Sequence, residues 1–120
     1  MTTLTAFLAK EPPKVFARRA WVRHPGFAAL YVRRGAKLLG GMMYADVLDL
    51  ASLESRIPGT GAFTRLIEWL RDQHPTQPVY IESVLEPRFQ RKLVFMGFKR
   101  QPGIEPPCYY VTQAFDIRVE

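Results

Sequence analysis

One hundred and twenty residues with 48% apolar and 12% aromatic content suffice for one domain with a buried core, and they exclude a disordered chain. Seventeen Lys and Arg against eleven Asp and Glu leave a net charge of +6, which favours a polyanionic partner: nucleic acid, a phosphorylated cofactor or an acidic protein face. A single cysteine, Cys108, excludes an intrachain disulfide and a Cys-rich zinc site, and His24 and His74 sit in no ligand motif, so no metal is expected.

No apolar run reaches the roughly 18–20 residues of a membrane span. Residues 1–10 lack the charged start and apolar centre of a signal peptide, so a cytoplasmic protein without a membrane segment is expected. Leu4 to Ala9, stopped by Glu11-Pro12-Pro13, is a small helix or an edge segment. Val15 to Val22 is a first strand, His24-Pro25-Gly26 a turn, and Ala28 to Arg34 a second strand. Gly35, Gly40 and Gly41 mark a flexible connection before a strand over Val47 to Glu54. Strict alternation there puts Leu48, Leu50, Ser52 and Glu54 on one face, and Val47, Asp49, Ala51 and Leu53 on the other.

Residues 62–72 form the clearest helix, with Phe63, Leu66, Ile67 and Leu70 spaced i, i+3, i+4, i+7. Val79 to Leu85 is a strand. Pro87 opens a second helix that buries Phe89, Leu93 and Met96 and ends at Gly97. From Cys108 to Val119 the chain is β-rich, with Phe115, Ile117 and Val119 alternating. The result is one α/β (α+β) domain over residues 1–120 with a strand–loop–helix–strand heart.

The Gly-rich turn ahead of the helix at 62–72 is an anion cradle. Glycine lets the backbone approach an oxyanion, and the unpaired N–H groups of a first helical turn point at it. The donors would come from Gly59, Thr60, Gly61, Ala62 and Phe63, with Arg56 and Arg65 nearby in sequence. No Gly-Lys-Ser/Thr follows, and the third glycine of a dinucleotide fingerprint is missing, so neither of those loops fits.

Arg56-Ile57-Pro58-Gly59-Thr60-Gly61 resembles the Q/R-x-x-G-x-G/A signature of the GNAT superfamily of acetyl-CoA-dependent N-acetyltransferases. The amphipathic helix, the strand from Val79 and the ending Val94-Phe95-Met96-Gly97-Phe98 are similar to that family as well, over about residues 28–113. The likeness is strongest to the short GNAT-like proteins of bacteria and phages. Two registers fit. One places Arg56 at the start of the signature; the other substitutes Pro58-Gly59-Thr60-Gly61 for it and leaves Arg56 without a counterpart.

The resemblance implies a mixed, mostly antiparallel sheet flanked by helices, with central strands 47–54 and 79–85 splayed apart. It implies that Arg56, Gly59, Thr60, Gly61, Ala62 and Phe63 hold the pyrophosphate of acetyl-CoA, with Leu53 and Glu86 along the pantetheine arm. Two positions depart from the family: Glu86 stands where many members have Asn, and Leu93 where many have a Tyr acid. Removal of the amine proton needs a base. Glu54 and Glu82 are the candidates, with Asp49 a weaker third, against the plain alternative that Glu54 caps a strand end and Glu82 pairs with an Arg. Tyr110 is a substitute for the missing acid.

Two functions remain after this reading. One is an acetyl-CoA-dependent N-acetyltransferase acting on an amine. The alternative is a GNAT-like scaffold, weak or inactive in catalysis, that binds a partner protein. Nucleic acid is a poorer partner, because the tyrosines alternate as ordinary sheet residues do. A homodimer stays open.

Overall fold

The computed structural model describes all residues except 14–16, 58, 60 and 120. Among the described residues the elements run β1 (Thr2–Thr3), α1 (Leu4–Ala9), β2 (Arg18–Arg23), β3 (Phe27–Leu39), β4 (Met42–Ser55), α2 (Ala62–Gln73), β5 (Val79–Ile81), α3 (Pro87–Phe95), β6 (Lys99–Arg100) and β7 (Tyr109–Val111). The strands make one mixed seven-stranded sheet in the order β1-β2-β3-β4-β5-β7-β6. Two neighbouring pairs are parallel, β1–β2 and β4–β5; the others are antiparallel.

One apolar cluster gathers residues from all three helices and from alternate positions of the sheet. It includes Phe7, Leu66, Leu70 and Leu93 against Leu30, Val32, Leu48, Leu50, Val79, Ile81 and Val111. The helix spacing read in the sequence explains the fit, since Leu66, Ile67 and Leu70 are all buried on one stripe of α2. A second, smaller cluster holds Leu39, Val47, Tyr80, Cys108 and Tyr110 and takes no helix residue. Arg34 ties α1 to the sheet: its guanidinium pairs with Asp46 at 2.7 Å and donates to the carbonyls of Phe7, Leu8 and Lys10 at the otherwise unsatisfied end of α1.

Four expectations change. The supposed flexible stretch from Gly35 to Gly41 is instead part of a continuous hairpin, β3–β4. Gly40 and Gly41, at φ 58° and 91°, form a tight two-residue turn that favours glycine at both places. Gly35 sits within the ladder because a Cβ there would come within 3.0 Å of Ala17 Cβ. The strand expected over Val79 to Leu85 ends at Ile81, and Ser83 takes a left-handed φ of 53°. In the β-rich tail only Tyr109–Val111 is a strand. Ala114–Asp116 is a 3₁₀ turn with Phe115 exposed and Ala114 buried.

The fourth change decides the site. A β-bulge at Ala51 breaks the alternation of β4: Leu50 pairs with Val32, whereas Ser52 pairs with Tyr31. Beyond the bulge the faces exchange. Leu53 packs on the main core beside its partner Leu30, and Ser52 and Glu54 join the face of Val47 and Asp49. The β4–β5 ladder stops there too. It pairs Leu48 with Val79, Asp49 with Tyr80 and Leu50 with Ile81, and then β4 continues to Ser55 paired only with β3.

Candidate functional site

Past the last β4–β5 pair, Leu50 with Ile81, β5 ends and a cleft lies beside β4. A cavity of about 510 Å³ lies between the end of β4 and the first turns of α2 and α3, lined among others by Phe27, Leu53, Ser55, Gly59, Gly61, Ala62, Phe63, Glu86, Phe89 and Lys92. A second cavity of about 420 Å³ continues it between residues 50–53 and 81–86, and the two share Leu53, Glu86 and Phe89. Each lies in the size range of a small-molecule or cofactor site. Phe63 and Phe89 form the hinge of the wall, their rings edge-to-face at 4.9 Å. The ammonium of Lys92 stands 5.9 Å from the Phe63 ring.

Two helix N-termini face this cleft, and they are finished differently. At α3 the Glu86 carboxylate accepts from the N–H groups of Arg88 and Phe89 at 3.0 and 2.9 Å, which also holds its pKa below the ordinary range. At α2 the N-cap is Gly61, at φ 78°, which has no side chain to cap the helix. The first N–H groups of a helix have no intrahelical partner, and such an N-terminus favours an anion.

The candidate residues do not all converge. Gly59, Gly61, Ala62, Phe63, Leu53 and Glu86 line the cleft, while Thr60 lies outside the described residues. Arg56 points elsewhere: its guanidinium donates to the carbonyls of Pro25 at 3.2 Å and Phe27 at 3.3 Å, bracing the β2–β3 turn. Of the carboxylates, Glu82 lines the inner cavity, whereas Glu54 is exposed and lines neither cavity. Tyr110 belongs to the second cluster, and its hydroxyl stands where a Cβ on Gly40 would be; it too lines neither cavity. Leu93 is fully buried in the main core and does not face the cleft.

Glu82 does pair with an arginine, Arg33 of β3, as the plain alternative had it. The pair is part of a larger group. Arg33 Nε also stands 3.5 Å from Asp49, and Lys37 Nζ stands 3.8 Å from Asp49 and 4.3 Å from the centre of the Tyr80 ring. The Asp49 side chain is only 5% exposed. Burial, then contact with Glu82, push its carboxyl up to about 8. Burial alone would raise Glu82 too, but hydrogen bonds from Asp49 and Arg33 outweigh it and hold Glu82 below the usual range. Burial, then the neighbouring Cys108, push the Tyr80 phenol up. Cys108 Sγ accepts from the Ser83 N–H at 3.4 Å, at the left-handed residue just past β5.

The residues that sequence reasoning passed over are Phe27, Ser55 and Phe89 of the wall, and Asp49 in its buried state. Asp49, ahead of the bulge, is placed by its pairing with Arg33 and Tyr80, and Phe89 by the first turn of α3. No protein-family model matches this chain, and neither does any curated protein or solved structure.

Proposed function

We propose that the chain is a GNAT-like N-acetyltransferase that holds acetyl-CoA in the cleft between β4 and β5 and transfers the acetyl group to an amine. The observation that carries this reading is the N-terminus of α2, with Gly61 as its N-cap, facing a groove beside β4 past the end of the parallel β4–β5 ladder. The amides of Gly59, Gly61, Ala62 and Phe63 bind the diphosphate there, where dipole and unpaired N–H groups favour an anion. Lys92 adds positive charge to the same wall. Leu53 and Phe89 lie along the apolar part of the groove, and the end of β5 at Ile81 leaves room beside β4 for the pantetheine arm. In the outer cavity Glu86 is a lining group of the wrong sign, and its carboxylate is engaged by the first N–H groups of α3.

Glu82 is the group placed to accept the proton of an ammonium in the inner cavity. The freed nitrogen forms the new C–N bond as the C–S bond breaks; the sulfur leaves as a thiolate and takes up the second proton that nitrogen loses on becoming an amide. No tyrosine hydroxyl lines the cleft among the described residues, so this thiolate departs without a Tyr acid. A thiol pKa of about 8.5 makes that tolerable and slow rather than impossible. The same two facts, Leu93 in the core and Tyr110 turned to Gly40, favour the second reading, a cofactor-binding scaffold with little turnover.

Calorimetric titration with acetyl-CoA tests the assignment. Gly61→Asp should weaken binding about tenfold to a hundredfold, the equivalent of roughly 1.4–2.8 kcal/mol. Gly61→Asn, which shares the left-handed strain without the charge, should bind much as the original does. Equal affinity in the Asp variant would remove the diphosphate from α2. Thiol release from a panel of primary amines then separates transfer from a scaffold role.

A further inference from the structure

Two carboxylate oxygens repel unless a proton lies between them. Arg33 pairs with both Asp49 and Glu82, which brings the two carboxyl groups together on one guanidinium, and neither carboxylate can donate to the other. Asp49 Oδ1 is buried, and no donor among the described residues reaches it. A shared proton resolves both facts at once. The groups facing the pair are Arg33 and Lys37 from β3 and Tyr80 from β5, with Cys108 beside Tyr80. Two cations beside two carboxyls let the pair carry either one or two negative charges without a large change in field.

The pair also connects two openings. Glu82 lines the inner cavity between β4 and β5. Asp49 lines a different, shallow groove of about 160 Å³, together with Ala17, Arg33, Gly35, Lys37 and Val47. We propose that Asp49 is a proton relay behind Glu82, passing a proton taken up in the cleft to the groove beside Lys37. This rests on the transfer reading above and deepens it.

The protons balance. Glu82 takes one from the acceptor ammonium as its lone pair is freed to attack. Asp49 releases its own proton to solvent in the groove, and Glu82 then passes the new one to Asp49. The pair ends as it began, and one proton per acetyl group has left by a route that does not cross the cofactor.

The test has two arms on the whole chain. Infrared titration of the protein alone should show a protonated carboxyl band at neutral pH that fades as the pH rises through about 8, and Asp49→Asn should abolish it. Loss of the band in the ordinary carboxylate range, near pH 4, would overturn the proposal. The second arm follows thiol release from acetyl-CoA with aniline and a panel of alkyl amines. With the alkyl amines, which arrive as ammonium ions, the original rate should climb with pH through the same interval, whereas aniline brings no ammonium proton to relay and its rate should not depend on Asp49. With the alkyl amines Asp49→Asn should lower kcat about tenfold to a hundredfold, flatten that climb and leave the affinity for acetyl-CoA unchanged. A band in the original protein with an unaltered rate profile in Asp49→Asn would overturn the relay alone. No release from any amine despite tight acetyl-CoA binding would overturn the transfer reading and the relay with it, while the band would still report the pair.

Discussion

Leu48, Asp49 and Leu50 are consecutive residues of β4 and are almost equally buried, at 0, 3 and 1% exposure. The leucines enter the core shared with all three helices, and Asp49 enters a cluster of four charges on the other face. Burial on the first side stabilises the fold through apolar area removed from water. On the second side it costs desolvation that the ion pairs only partly offset. A buried carboxyl that adds little to stability is better understood through what it can do with a proton.

The contrast can be broken by substitution. Leu50→Ala should destabilise the protein by about 2–5 kcal/mol, as a large-to-small change in a close-packed core. Asp49→Asn, isosteric and uncharged, should leave stability nearly unchanged at low pH and raise it at high pH. Chemical denaturation of both variants at two pH values checks this pair. Comparable losses would mean that the two faces are held by the same physics.

Glu82→Gln gives the next largest effect, on rate instead of stability. Thiol release should fall roughly a hundredfold, at the low end of what a general base supplies, whereas Glu54→Gln, exposed and outside both cavities, should leave it unchanged. A loss in the Glu54 variant alone would move the base to the other side of the bulge.

Stability against pH sharpens the comparison further. With its carboxyl raised to about 8, Asp49 keeps in the folded state a proton that the unfolded chain releases. Folding stability should therefore fall as the pH rises from about 4 toward 8, and Asp49→Asn should remove that slope. Glu82 acts in the opposite sense, because its lowered pKa adds stability that is lost only as the pH drops below the usual carboxylate range. Melting temperatures across this interval, in both variants, separate the two contributions. The smallest expected effect is at Glu86, where Glu86→Gln keeps an acceptor at the α3 N-terminus and should modestly tighten acetyl-CoA binding by removing a like charge from the cleft.

Much of the fold was legible in periodicity. The i, i+3, i+4, i+7 stripe of α2, the glycine turn before it and the Pro87 start and Gly97 end of α3 follow from local rules. What stayed hidden depends on partners distant in sequence. Gly35 reads as a breaker until Ala17 lies against it, and Gly40-Gly41 reads as slack until two long strands pair across it. The bulge at Ala51 leaves no mark in an alternating pattern, yet it reverses the faces of Ser52, Leu53 and Glu54. Glu54 therefore looked as eligible as Glu82. Arg56 failed for a related reason, since the carbonyls that claim its guanidinium lie near residue 26, far back along the chain.

The most direct test is amide chemical-shift mapping while acetyl-CoA is added. The account predicts the largest shifts at Gly59, Gly61, Ala62 and Phe63, with smaller ones at Leu53, Ser55 and Phe89 on the walls of the same cleft. Shifts confined to the exposed β2–β3 face around Trp21 and Tyr31, or none at saturating ligand, would contradict it.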